Sequence, residues 1–83
     1  LKNQLRRAVV SVPSNIAEGC GRNSAKELRQ FLSISVGSIC EVETQLILSH
    51  ELGFIEKVDK DVLVEEICEI RSKIIRFSKM IRR

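Results

Sequence analysis

Tryptophan and tyrosine are missing from this 83-residue sequence, and Phe31, Phe54 and Phe77 are its only aromatic residues. So few rings cannot tile the stacking platforms on which sheet-based single-strand binders hold bases, which excludes RRM-like and OB-like readings. The single histidine, His50, cannot complete a triad, no serine lies in GxSxG, and glycines 19, 21, 37 and 53 form neither a P-loop nor a dinucleotide fingerprint. Glu41 and Glu43 are two apart on a helix, so they point about 200° apart and cannot act as a carboxylate pair. Cys20, Cys40 and Cys68 contain no CxxC pair and no zinc spacing. They fall at apolar helix positions and are expected to be small buried hydrophobes of a reducing cytoplasm. No catalytic residue, metal or cofactor is therefore expected, and no enzyme. Nor is a membrane partner, because no apolar run reaches the roughly 20 residues a bilayer span needs.

What the sequence has in quantity is aliphatic side chain and charge. Hydrophobic residues make up 43% and charged residues 30%, the balance of a soluble globular chain. The length allows a single domain, 1–83. Thirty of the side chains are Leu, Ile, Val, Phe or Met, more than so small a domain can bury, so some should lie against another subunit or another segment. The sequence begins at Leu1 without an initiator Met, and the domain is expected to be N-terminally incomplete.

Spacing predicts three helices. In the last, Leu63, Ile67, Ile70, Ile74, Phe77 and Ile81 alternate steps of four and three, a heptad seam, with Val64, Cys68 and Ile75 as a second stripe. Asp59 or Asp61 is expected to cap its start. The middle helix opens with Ser24-Ala25-Lys26-Glu27, a capping box in which each polar side chain serves the other's backbone N–H. Its seam is Leu28, Leu32, Ser35, Ile39, Val42, Leu46 and Ser49; His50 complements its dipole and Gly53 supplies a left-handed stop. The first helix carries Leu1, Leu5, Ala8 or Val9, Val12, Ile16 and Cys20 on one face. Pro13 interrupts it, and continuity of the face favours a kinked helix over two pieces. Short connections make neighbours antiparallel. The fold class is all-α, an antiparallel up-and-down bundle with an apolar flank left for a fourth helix.

Charge is uneven along the chain. Four bases oppose one acid in residues 1–22, two oppose four in 23–53, and eight oppose six in 54–83. Arg71, Lys73, Arg76, Lys79, Arg82 and Arg83 crowd the end of the last helix. Up-and-down packing would bring Arg22, Lys26 and Arg29 to the same end. Such a patch could hold phosphates without reading bases, or simply complement a helix C-terminus. On the first helix Gln4, Ser11, Asn15 and Glu18 form a polar stripe. Solvent is its expected neighbour, although Asn15 and Glu18 could serve backbone groups freed by Pro13 or bridge to Arg6 or Arg7 of another subunit. Ser33 and Gly37 make a small-x-x-x-small step that permits a close helix approach.

The stretch Gln4-Leu5-Arg6-Arg7-Ala8-Val9-Val10-Ser11-Val12-Pro13-Ser14-Asn15-Ile16-Ala17-Glu18-Gly19 resembles the signature of the four-helix-bundle proteins encoded in intervening sequences of bacterial 23S rRNA genes, also called S23 ribosomal-protein-like. The resemblance continues through residues 26–34, Gly37-Ser38, residues 41–46 and residues 51–55; the last helix is similar only in pattern. It implies an antiparallel four-helix bundle assembled into a homopentameric ring, with one further helix ahead of Gln4. The family is similar in turn to the accessory variability protein of diversity-generating retroelements, a basic pentamer that binds its reverse transcriptase and nucleic acid.

Two functions are carried forward. The first is a non-enzymatic cytoplasmic oligomer that binds RNA or a ribonucleoprotein through phosphate contacts from Arg6, Arg7, Arg22, Lys26, Arg29, Lys73, Arg76, Lys79, Arg82 and Arg83. The second is a homo-oligomeric scaffold for a protein partner, without nucleic acid, in which Arg6, Arg7, Asn15 and Glu18 join subunits and Ser33 and Gly37 admit a neighbouring helix.

Overall fold

The computed structural model describes residues 2–81, and side chains from Asn3 to Ile81. It contains three helices, α1 (Lys2–Cys20), α2 (Ala25–Glu51) and α3 (Lys57–Met80). Helix α1 runs unbroken through Pro13, as the continuous apolar face requires. Proline offers no N–H, so the Val9 carbonyl loses its helical donor. Helix α2 starts where Ser24 leaves the helical region (φ −118°, ψ 133°) and its hydroxyl accepts from the Glu27 N–H at 3.1 Å. Only this half of the capping box forms among the described residues. At the other end Gly53 adopts φ 83°, the Phe54 N–H reaches the Ser49 carbonyl at 2.8 Å, and the Gly53 N–H reaches His50 at 3.0 Å. These paired bonds satisfy carbonyls that the helix end would leave open. His50 sits in that last turn with Nδ1 3.3 Å from the Ile55 carbonyl.

The start of α3 departs from expectation. Glu56, not Asp59 or Asp61, is the N-cap residue, and its side chain makes no capping bond. Asp59 lies in the first turn, where a carboxylate suits the dipole, and Asp61 is drawn into ion pairs with Lys57 and Lys60.

Helix α2 is the centre of the structure. Ala8 packs with Val42 and Leu46, and Gly19 lies against Leu28 and Phe31, so α1 runs antiparallel to it. On its other side Arg71 pairs with Glu43 and Arg29 reaches Ile81, so α3 is antiparallel as well. The backbones of α1 and α3 each approach α2 and do not approach each other among the described residues. The result is an up-and-down bundle open on one side, with Cα extents of 45 × 22 × 12 Å. Between α1 and α3, over α2, runs a groove of about 270 Å³ lined by Val9, Val12, Pro13, Ile39, Val42, Ile67 and Ile70.

The seam of α2 is buried as the spacing predicts. Leu32, Ser35, Ile39, Val42, Leu46 and Ser49 are buried, Leu28 is half-buried, and Gln45 joins them. The seam of α3 is only half used. Ile74 is buried and Ile67 and Ile81 half-buried, whereas Leu63, Ile70 and Phe77 remain 40%, 47% and 45% exposed. The heptad places those three to one side of the line that faces α2, where no helix of this chain covers them. By length and composition α2 also qualifies as a membrane span, contrary to the sequence expectation. Its hydropathy is explained by a seam buried against helices on two sides, and Glu43 within it pairs with Arg71.

The polar stripe of α1 is a second correction, since its middle, Ser11 and Asn15, turns inward. Ser11 and Ser38 share a 2.7 Å hydrogen bond between α1 and α2. Asn15 Nδ2 donates to the Ser11 carbonyl at 2.8 Å and to its hydroxyl at 2.9 Å, and Gln45 Nε2 donates to Gln4 Oε1 at 3.3 Å. Asn15 therefore serves Ser11 and not the carbonyl that Pro13 strands. Ser35, wholly buried, donates to the Val12 carbonyl at 3.0 Å. Gln4 and Glu18 remain exposed as expected.

Helix α1 approaches α2 closely at Gly19, where an added Cβ would lie 2.8 Å from Phe31 Cβ and 3.0 Å from Leu28 Cδ1. Phe31 Cβ is fixed to the α2 backbone, so Gly19→Ala must push the helices apart. Urea denaturation should show a loss of about 1–3 kcal/mol, the usual cost of overpacking, with an unchanged m-value.

Candidate nucleic-acid interface

Antiparallel packing sorts the candidate bases into groups. The end of α1, the start of α2 and the end of α3 meet, which gathers Arg22, Lys26, Arg29, Arg76 and Lys79 at one end of the slab. Arg29 Nη1 donates to the Ile81 carbonyl at 3.4 Å, a direct link between the first turns of α2 and the end of α3. Arg22 lies over the Phe31 ring, 5.1 Å from its centroid, and pairs with Glu18 at 2.9 Å. Ring and carboxylate together hold the Arg22 guanidinium at the turn. Lys26, Arg76 and Lys79 are exposed and make no ion pair among the described residues. Lys79 lines a cleft of about 250 Å³ between α2 and α3 with Leu32, Ser33, Val36, Ile75 and Ser78.

The remaining candidates lie elsewhere. Arg6 and Arg7 precede Ala8, which packs near the end of α2, so they belong to the opposite end of the molecule and do not join the patch. Lys73 is exposed on the middle stretch of α3, about 3 Å along the axis from Arg71. Arg82 and Arg83 lie outside the described residues. Arg71, expected in the basic end, is instead taken into the α2/α3 seam, where Nη1 donates to Glu43 at 2.8 Å. That bond, with the Cys40 sulfur beside it, raises the already high Arg71 pKa. Ser33 and Gly37 lie on exposed α2 surface, and a Cβ at Gly37 would meet nothing within 4 Å. Ser33 lines the α2/α3 cleft, and no described residue closes on Gly37.

The other end of the slab is electrically mixed. Asp61 accepts from Lys57 and Lys60, each at 2.8 Å. The Lys57 bond, then the Lys60 bond, lowers the Asp61 pKa to about 2, and Lys57 is raised in return. Glu51, Glu56, Asp59, Glu65 and Glu66 are exposed here and make no ion pair among the described residues, so acidic charge gathers at this end and basic charge at the opposite one.

A helical protein built around one central helix, with its uncompensated bases at one end and no catalytic constellation among the described residues, is the class that emerges. The chain belongs to the 23S rRNA-intervening sequence protein family, which it matches over residues 1–76. The match takes in most of α3, which the sequence resembles only in pattern. The family is named for an rRNA sequence and not for a reaction. No curated protein matches the chain.

An Asp carboxyl with a lowered pKa adds stability above its ordinary value and loses it as pH falls through the folded one. For Asp61 that window runs from 3.8 down to about 2. A carboxyl-detected NMR titration should find its midpoint near 2, and Lys57→Met should move the midpoint up towards 3.8.

Proposed function

We propose that this protein is a non-enzymatic, cytoplasmic homo-oligomer that binds RNA, or RNA within a ribonucleoprotein, through the basic end formed by Arg22, Lys26, Arg29, Arg76 and Lys79. One observation carries the reading: a direct Arg29 to Ile81 bond ties the start of α2 to the end of α3, and Arg22, after the end of α1, lies over Phe31 of α2 beside them. Near them the described acids are Glu18, already paired with Arg22, and Glu27 in the first turn of α2. Lys and Arg on helix ends reach phosphates without entering a groove, so the contacts are sequence-independent and the affinity is strongly salt-dependent. The family's name, with its reference to 23S rRNA, supports RNA as the polyanion. Assembly as a homopentamer would repeat the basic end around a ring and multiply its field.

A second reading, a homo-oligomeric scaffold for a protein partner, draws on a different observation. Leu63, Ile70 and Phe77 stay exposed in a row, and the apolar groove beside them lies open. Such a surface suits a protein neighbour. In that case Arg6 and Arg7, at the end away from the basic patch, would be subunit contacts.

Fluorescence anisotropy of a labelled structured rRNA fragment, followed across a salt series, separates the two. On the RNA reading log affinity falls linearly with log salt, and the combined Lys26→Gln, Arg76→Gln and Lys79→Gln variant flattens the slope by about 2–3 while its sedimentation is unchanged. Absence of binding at low salt would sink the RNA reading and leave the scaffold.

A further inference from the structure

The cysteines do not behave as buried hydrophobes. Cys20 and Cys40 are exposed and Cys68 is half-buried. Two of them, from different helices, meet at one guanidinium. Arg71 Nη2 lies 3.2 Å from Cys68 Sγ, and Nη1, while donating to Glu43, lies 3.6 Å from Cys40 Sγ. Cys40 belongs to α2 and Cys68 to α3, so this cluster straddles the seam that joins the two helices. Cys20, on α1, is exposed without such a neighbour and serves as a built-in reference thiol.

We propose that Cys40 and Cys68 form an oxidation-responsive pair that closes to a disulfide between α2 and α3. The oxidant is a hydroperoxide. The exposed Cys40 sulfur attacks its terminal oxygen, the O–O bond breaks, and the products are a sulfenic acid and an alcohol, or water when the peroxide is hydrogen peroxide. Cys68 then attacks the Cys40 sulfur, the S–O bond breaks, and water leaves with the Cys68 proton. The two electrons lost by the thiols reduce the peroxide bond. Arg71 is a positioning residue. Its N–H groups already point at both sulfurs and can donate to the oxygen added at Cys40, a charge-assisted bond. Closing the disulfide moves the guanidinium from between the sulfurs, so the Arg71 to Glu43 ion pair gives way to a covalent link across the same seam. A disulfide needs Cα atoms within about 7 Å, so the link also reports how closely α2 and α3 approach.

The full chain would be titrated with hydrogen peroxide, its remaining thiols alkylated, and its peptides read by mass spectrometry. The expected result is a linked Cys40 to Cys68 peptide within one chain while Cys20 stays alkylatable. In Cys68→Ser the reaction should stop at a Cys40 sulfenic acid trapped by dimedone, and in Arg71→Met the oxidation rate of Cys40 should drop to that of Cys20. Oxidation of Cys20 as fast as Cys40 in the unaltered protein, or links only between separate chains, would overturn the proposal whatever the variants do.

Discussion

Among the described residues, every close backbone approach between helices involves α2. The helices on either side of it touch its buried seam and leave each other alone, so the stability of the slab depends on one apolar line from Leu32 to Leu46 being covered from two directions. That dependence explains the mixture of residues on α2. Ser35, Gln45 and Ser49 sit within the seam because α1 approaches with small and polar side chains, and each buried hydroxyl or amide needs a partner on the facing helix. Gln45 Oε1 is buried without one.

The middle helix was the most legible part of the sequence. Its cap, its glycine stop and its seam were all written at fixed offsets, because such signals depend on local geometry alone. The heptad of α3 was equally regular, yet regularity does not say how many neighbours exist to cover it, and Leu63, Ile70 and Phe77 are left outside. The polar phase of Gln4, Ser11 and Asn15 reads as a solvent face. Ser11 and Gln4 instead meet Ser38 and Gln45 of α2, 27 and 41 residues away, beyond the reach of any periodicity. The cysteines failed for a related reason: an apolar phase says where a side chain points and not that an arginine will be there to meet it.

For the candidate interface, the sequence supplied the residues and the packing decided among them. Arg22, Lys26, Arg29 and Lys79 could be grouped in advance because up-and-down connectivity brings those helix ends together. Arg6 and Arg7 could be separated from them only by knowing that α1 continues through Pro13 and packs Ala8 against Val42 and Leu46. Arg71 is drawn half-buried into the α2/α3 seam by Glu43, a pairing that no spacing rule announces. The family membership agrees with the helical architecture.

The lack of any direct approach between α1 and α3 has a thermodynamic meaning. Substitutions on α1 and on α3 that spare the seam share no partner, so their effects on unfolding free energy should sum without a cross term. A coupling that does appear among the described residues would run through the clusters that both flanks touch, Leu32, Ile39 and Ile74 or Ala8, Val42 and Leu46, by which a ligand at one flank can be felt at the other.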